Sequence, residues 1–343
     1  MRAVQYRTIG AGPELVEVSD PEPGPGQVLL AVRAAGLCHS DLGVMSRSAD
    51  AFPYGPLPLT LGHESAGEVV ALGAGVRGVE LGERVVVYGP WGCGRCAACA
   101  RGRENGCAGR ERAGVRMPGL GGPGALADLQ LVDHARHLVP LGDLDPVAAA
   151  GLADAALTPY SAIRSAAPVL TPGSTALVIG IGGLGHVAVQ LLKALSPVRV
   201  VAVDRDERRL ALATECGADV AVLADDADAE LATLLPGGAA LVLDLVGSAA
   251  TTTLAARTAA SGGEVRVVGA GPGAVPIGYR TTAFDVGARF SFWGGLDELH
   301  EVVALARAGR VRVHTETVGL EDVVGAYGRL AAGEVLGRVV AVP

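Results

Sequence analysis

Four cysteines, Cys93, Cys96, Cys99 and Cys107, fall within fifteen residues in the pattern C-x2-C-x2-C-x7-C. Thiols this close cannot readily all pair as disulfides, whereas a looping backbone can aim four thiolates at the corners of a tetrahedron around zinc. Gly92, Gly94, Gly102 and Gly106 supply the looping. An iron–sulfur cluster or a redox-active thiol cluster would use the same residue type, and zinc is the reading the spacing favours. Four thiolates leave zinc no open position, so residues 91–110 read as a structural metal lobe rather than a catalytic one. Cys216 stands apart and reads as an inert small residue.

Two other segments carry reactive side chains, Cys38-His39-Ser40-Asp41 and Gly62-His63-Glu64. A thiolate and an imidazole are what zinc prefers, and a catalytic site keeps three protein ligands and one open position. Cys38 and His63 supply two. Residue type alone does not select the third among the many Asp and Glu residues, and either residue taken singly would more often be structural than ligating.

A third segment, Gly180-Ile181-Gly182-Gly183-Leu184-Gly185, reads G-x-G-x-x-G between an apolar run, Ala176-Leu177-Val178-Ile179, and a helical pattern. In that context Gly180 permits the tight turn, Gly182 lets a pyrophosphate approach the backbone, and Gly185 lets helix and strand pack closely. Asp204 closes the next apolar run, nineteen residues after Gly185. A carboxylate there accepts hydrogen bonds from ribose hydroxyls and predicts NAD over NADP. Arg205, Arg208 and Arg209 could accept a 2′-phosphate, but an unshielded Asp204 would repel it.

The elements that must hold these residues divide the chain. Its 343 residues suit about two domains. As far as about Asp143, short apolar runs such as Val28–Val32 and Glu83–Tyr88 alternate with Gly and Pro clusters, the texture of a β-rich domain. From Asp145 the pattern turns to β-α-β, with strands over 176–180 and 199–204 and helices over 184–195 and 207–216, which predicts a parallel sheet with helices on both faces. The alternation continues with a helix over 249–260 and a strand over 263–269. The tail ends in an apolar run, 337–342, that could pair back into the first domain. The fold class expected is therefore α/β, a doubly wound Rossmann cofactor domain over 154–290 beside a β-rich catalytic domain over 1–153 and 291–343.

Composition excludes several functions. A net charge of −8, with 36 acidic and 28 basic residues and no basic runs, argues against a nucleic-acid partner. The stretch 165–192 lacks charged residues, but Pro168, Pro172 and five glycines interrupt it, so it reads as strand, turn and helix rather than a membrane span. Arg2 and Arg7 precede no apolar stretch of signal-peptide length, and a cytoplasmic location is expected.

Together these motifs resemble the zinc-dependent medium-chain alcohol dehydrogenases along nearly the whole chain, especially the bacterial secondary-alcohol dehydrogenase and phenylacetaldehyde reductase group. Gly36-Leu37-Cys38-His39-Ser40-Asp41, Gly62-His63-Glu64, the four-cysteine lobe, Leu157-Thr158-Pro159-Tyr160 and the Gly180 turn stand in the family's order. The resemblance implies a GroES-like catalytic domain, NAD, and two zinc ions per subunit. It implies that Cys38, His63 and Asp154 bind the catalytic zinc, with Glu64 close behind the metal and Asp41 orienting His63. Ser40 matches the hydroxyl that begins a proton relay. The position where some relatives carry the relay histidine is Gly43, so His39 is the expected outlet, though it also matches a pyrophosphate contact. Thr158, Arg209 and Val268 match cofactor contacts, beside Gly182, Gly183 and Leu184 of the turn. Tyr54, Leu120 and Trp293 match the substrate pocket, and each also suits ordinary packing. These apolar pocket residues favour hydrophobic secondary alcohols, aliphatic or aryl, with some primary alcohols, over a polyol or sugar alcohol; the reverse reaction is carbonyl reduction. A non-catalytic nicotinamide or zinc sensor on the same fold is the remaining alternative. The family's assemblies imply a homodimer or homotetramer, with the segment Phe290–Trp293 at the end of the sheet extending it across a twofold axis.

Overall fold

The computed structural model describes residues 1–343, the side chain of Ala51 apart. The chain forms two compact units, one of Met1–Asp154, Gly295–Arg307 and Thr315–Pro343, the other of Ala155–Gly294 and Ala308–His314.

The first unit is built of short strands, as its Gly- and Pro-punctuated sequence dictates. Its larger sheet runs in the order Leu138–Pro140, Arg84–Val87, Glu64–Leu72, Val28–Gly36, Arg338–Val342 and Thr315–Gly319, with Leu129–Val132 also pairing with Val28–Gly36. Val28–Gly36 and Glu64–Leu72 are antiparallel, with Gly36 opposite Glu64. The C-terminal strand returns across the whole chain to pair with the end of Val28–Gly36, Val340 opposite Gly36. Three strand ends that carry polar residues therefore meet at one place. A smaller sheet joins Glu14–Glu17, Arg2–Tyr6 and Leu59–Thr60. Between the layers Tyr6, Leu37, Leu61, Leu126 and Leu320 are fully buried.

The second unit holds six parallel strands in the order Val220–Leu223, Arg199–Asp204, Thr175–Ile179, Ala239–Asp244, Ala259–Val267 and Gly287–Phe290. In sequence terms this is 3-2-1-4-5-6, the doubly wound order that reverses direction beside the first strand. The central strands are apolar on both faces because helices cover both faces, as Leu177, Val178, Val201, Ala202, Val242 and Leu243 show by being wholly buried. The uncharged stretch 165–192 becomes the strand Thr175–Ile179, a turn and the helix Gly185–Leu195. Among the described residues no helix is long and apolar enough to cross a membrane. The edge differs from the expectation: the last strand is Gly287–Phe290, and Trp293 turns inward with φ 53° and is buried. A left-handed backbone is unusual for a bulky residue and is sustained only where packing compensates it.

Candidate active site, metal lobe and dinucleotide turn

Cys38 leaves the strand Val28–Gly36 and forms the N-cap of the helix His39–Met45. Its backbone N–H donates to Asp41 Oδ2 at 2.9 Å, which turns Asp41 beneath the helix start and buries it completely. Asp41 Oδ1 then meets His63 Nδ1 at 3.1 Å. With Nδ1 donating to Asp41, His63 presents Nε2 as a lone pair, the arrangement a metal-ligating histidine needs. Burial alone would lower the His63 pKa, but the charge of Asp41 and hydrogen bonds with Asp154, Asp41 and Cys38 hold it well above the ordinary value.

Asp154, at the C-terminal end of the turn Ala150–Ala153, completes the cluster. Its Oδ2 lies 3.8 Å from Cys38 Sγ and 3.7 Å from His63 Nε2. Ligand atoms of Cys38, His63, Glu64 and Asp154 all lie within 4.8 Å of one another. One sulfur, one nitrogen and one oxygen ligand at the usual zinc bond lengths of about 2.0–2.3 Å stand about 3.3–3.7 Å apart on a tetrahedron, close to the separations found. The donor set therefore fits zinc. Ser40 Oγ sits 3.5 Å from Cys38 Sγ, and His39 is solvent-exposed.

Two residues that sequence reasoning passed over complete the support. Arg338, buried in the C-terminal strand, makes a two-pronged ion pair with Glu64, Nε donating to Oε2 at 2.8 Å and Nη2 to Oε1, and its Nη2 is 3.5 Å from Asp154 Oδ2. Burial opposes its charge, but Cys38, Glu64 and Asp154 hold its pKa well above the ordinary value. Tyr327, also buried, donates from Oη to Asp41 Oδ2 at 2.9 Å. Both come from the tail, and only the return of the last strand brings them here. The pairing of the apolar run 337–342 with the first domain was the one sequence signal that pointed to them.

The four clustered cysteines also converge. Cys93 and Cys99 are 4.0 Å apart at sulfur, Cys96 and Cys99 3.4 Å, and Cys96 and Cys107 3.8 Å. Thiolates around zinc at about 2.3 Å stand about 3.8 Å apart, so this set fits as well. Hydrogen bonds from the backbone of Arg95 and Cys96 pull the Cys93 thiol down to about 6, whereas burial and neighbouring thiols push Cys99 up to about 12. Beneath the lobe, Glu104 is buried and accepts from Gly92 N–H, from Arg136 Nε at 3.0 Å and from His137 Nε2 at 3.1 Å. His137 is itself bonded at Nδ1 to Asp133, at 2.6 Å, and stacks on Trp91 with ring centres 5.3 Å apart. Burial would raise the Glu104 pKa, but His137, Gly92 N–H and Arg136 outweigh it and hold it at about 2.

In the second unit the Gly180 turn joins the first strand to the helix Gly185–Leu195. A Cβ on Gly185 would sit 2.1 Å from the Gly180 carbonyl oxygen, so only glycine closes the turn, whereas the space beside Gly182 is open for 4 Å. That is the cradle a pyrophosphate requires. Asp204 stands at the end of the second strand but is more shielded than the sequence implied: Oδ2 accepts from Ile181 N–H at 2.6 Å, Oδ1 from Asp206 N–H at 3.0 Å, and Arg209 Nη1 is 3.9 Å from Oδ1. Thr158 is buried in the helix Leu157–Ser165, and Val268 N–H bonds the Asp244 carbonyl. Gly183 and Leu184 complete the turn. Tyr54 and Leu120 pack on the apolar cluster of the first unit, and Trp293 belongs to the second.

A β-rich unit with one three-ligand and one four-thiolate metal set, and a doubly wound unit with a dinucleotide turn, define a zinc-binding oxidoreductase fold. Residues 24–143 match the family model "Alcohol dehydrogenase GroES-like domain" and residues 183–308 the model "Zinc-binding dehydrogenase". The chain belongs to the zinc-dependent medium-chain alcohol dehydrogenase family. It is 35% identical over 332 residues to a D-arabinose 1-dehydrogenase (NADP(+)) of Saccharolobus solfataricus, covering 95% of this chain and 93% of that one. The alcohol dehydrogenase of Aeropyrum pernix superimposes with a TM-score of 0.92 at 33% identity over 100% of both chains. The acetophenone reductase of Geotrichum candidum, solved with NAD, does so with a TM-score of 0.85 at 32% identity, over 100% of this chain and 97% of that one.

Proposed function

We propose that the protein catalyses the zinc-dependent, NAD(H)-linked, reversible oxidation of hydrophobic secondary alcohols, aliphatic or aryl, and of some primary alcohols. The reaction takes a secondary alcohol and NAD+ to a ketone, NADH and a proton. The observation that carries the reading is the convergence of Cys38 Sγ, His63 Nε2 and Asp154 Oδ2 beside the Ser40 hydroxyl.

Cys38, His63 and Asp154 would hold one zinc, and the four cysteines of the lobe a second. A zinc with three protein ligands supplies Lewis-acid polarisation of the substrate oxygen. Ser40 Oγ accepts the proton of the substrate hydroxyl and passes its own towards His39, which is exposed and can release it to water. Asp41 keeps His63 in the ligating tautomer, and Arg338 holds Glu64 against the site. On the nucleotide side, Gly182 and the helix start receive the pyrophosphate, Asp204 the adenosine ribose with Arg209 beside it, and Thr158 and Val268 the nicotinamide end. Asp204 favours NAD, and the NAD-bound acetophenone reductase supports that choice.

Tyr54, Leu120 and Trp293 carry the preference for an apolar substrate, because a polyol would need paired polar groups in their place. The likeness to a D-arabinose dehydrogenase favours a second reading, a sugar or polyol dehydrogenase. An assay of NADH oxidation with acetophenone and with a ketose separates them. Turnover of acetophenone alone is expected, and turnover of the ketose alone would transfer the protein to the polyol branch.

The outermost strand of the second unit, Gly287–Phe290, leaves Phe290 60% exposed, with Phe284 69% and Tyr279 83% exposed nearby in sequence. An uncovered apolar edge of this kind is an association surface. A second copy pairing along it would make the homodimer, alone or within a tetramer.

A further inference from the structure

The segment Ala308–His314 packs with the second unit. Val311 and Val313 are buried, and Arg310, Arg312 and His314 are exposed, so the extended chain presents these three side chains on one face. Its backbone is held by the helix that follows the dinucleotide turn. Gln190 Oε1 accepts from Arg312 N–H at 2.9 Å while Gln190 Nε2 donates to the Arg312 carbonyl at 2.8 Å. Two residues on, His314 N–H donates to His186 Nε2 at 2.9 Å.

Between this segment and the helices Gly185–Leu195 and Glu207–Glu215 lies a recess of about 610 Å³, lined by Arg310, Arg312, His314 and Lys193, with Glu215 also on its wall. Lys193 is neutralised in part by Asp219, at 3.0 Å, whereas the guanidinium groups of Arg310 and Arg312 have no ion-pair partner among the described residues. Two guanidiniums without an ion-pair partner among the described residues and an ammonium line one recess in a chain whose net charge is −8. Such a set matches a tetrahedral dianion, to which arginine donates in pairs, and Glu215 can accept from hydroxyls on the remainder of the ligand. The recess runs along the helix from His186 in its first turn to Ala194 near its end, and its basic groups Lys193, Arg310 and Arg312 come from the far end of the helix and from the segment beside it.

His186 connects the two places. Its buried ring bonds the Gly182 carbonyl through Nδ1 at 2.9 Å and His314 N–H through Nε2. A nitrogen that faces an N–H must accept and one that faces a carbonyl must donate, so these neighbours assign a neutral imidazole. A shift of the Arg310–His314 segment therefore reaches the glycine against which a pyrophosphate would lie.

We propose that this recess binds a small phosphomonoester, and that its occupancy and dinucleotide binding alter one another through His186. Calorimetry with inorganic phosphate and with a hexose phosphate, on protein saturated with NADH, tests it. Saturation blocks the other anion site of this unit. Binding of both probes is expected, weakened at least about tenfold in R310S/R312S. Both positions are exposed, so the variant should retain its melting temperature and its NADH affinity in phosphate-free buffer. NADH affinity in wild type should change with the probe by the same factor by which NADH changes probe affinity. Absence of binding, equal binding by the double variant, or loss of binding on NADH saturation would overturn the site. Unchanged NADH affinity at probe saturation would overturn the coupling. None of these outcomes depends on turnover, so failure here is distinct from failure of the dehydrogenase reading.

Discussion

Tyr327, Asp41 and His63 form a chain of buried hydrogen bonds, 2.9 Å and then 3.1 Å long, that ends at the imidazole facing Cys38 and Asp154. Removing one oxygen from its far end should loosen the metal without touching a ligand. Partners of this kind typically contribute about 10–100-fold to metal affinity, so Y327F should lose zinc about tenfold more readily to a chelating dye while keeping its fold. Equal zinc affinity in wild type and Y327F would show that Asp41 needs no such support. Ser40 makes a different prediction. S40A should lower kcat by about 10²–10⁴-fold, the usual worth of a positioned acid–base group, and leave zinc content and NADH affinity as they were; an undiminished kcat removes Ser40 from the proton path. The sequence displayed Cys38, His63 and the four lobe cysteines because short local motifs carry them. The roles of Arg338 and Tyr327 were not legible beyond the expected return of the run 337–342, because they stand 274 and 286 residues from Glu64 and Asp41 in the chain. The third ligand, Asp154, came forward only through resemblance, because a carboxylate without a motif looks like any other.

At the scale of elements, the metal lobe rests on a small ionic cluster whose pH behaviour can be worked out. Burial would lower the His137 pKa, but hydrogen bonds and charge from Asp133 and Glu104 raise it above the ordinary value. A histidine raised on folding contributes stability that is complete below its unfolded pKa, about 6.5, and is lost as pH climbs through the folded value. In urea unfolding with zinc present, wild type should therefore exceed H137N by about 2–3 kcal/mol near pH 6, as for a broken buried pair, and by progressively less above pH 6.5. A gap that widens with pH would mean that His137 is held neutral. The elements themselves were legible where apolar runs are uninterrupted: the first two strands of the parallel sheet fell within a residue of their expected bounds. The strand expected over 263–269 instead spans Ala259–Val267, because Ala259 already pairs with Ala239 and the Gly-containing stretch 260–263 forms an irregularity before pairing resumes with Glu264 opposite Leu241. Composition cannot show that irregularity, nor could it show that Ile181 N–H would shield Asp204.

For the whole molecule, an exposed apolar edge in a chain of net charge −8 calls for a partner surface. F290D should shift the species seen by light scattering from a dimer or tetramer to a smaller one, with the second unit still binding NADH. A monomeric wild type would dismiss the edge as an interface. The central claim, that three ligands from the first unit hold a metal the reaction needs, has a more direct test. Protein stripped by a chelator should lose NADH oxidation with acetophenone and recover it on addition of zinc, whereas D154A should bind zinc at the cysteine lobe and stay inactive. Full turnover by the stripped protein, or by D154A, would contradict the account.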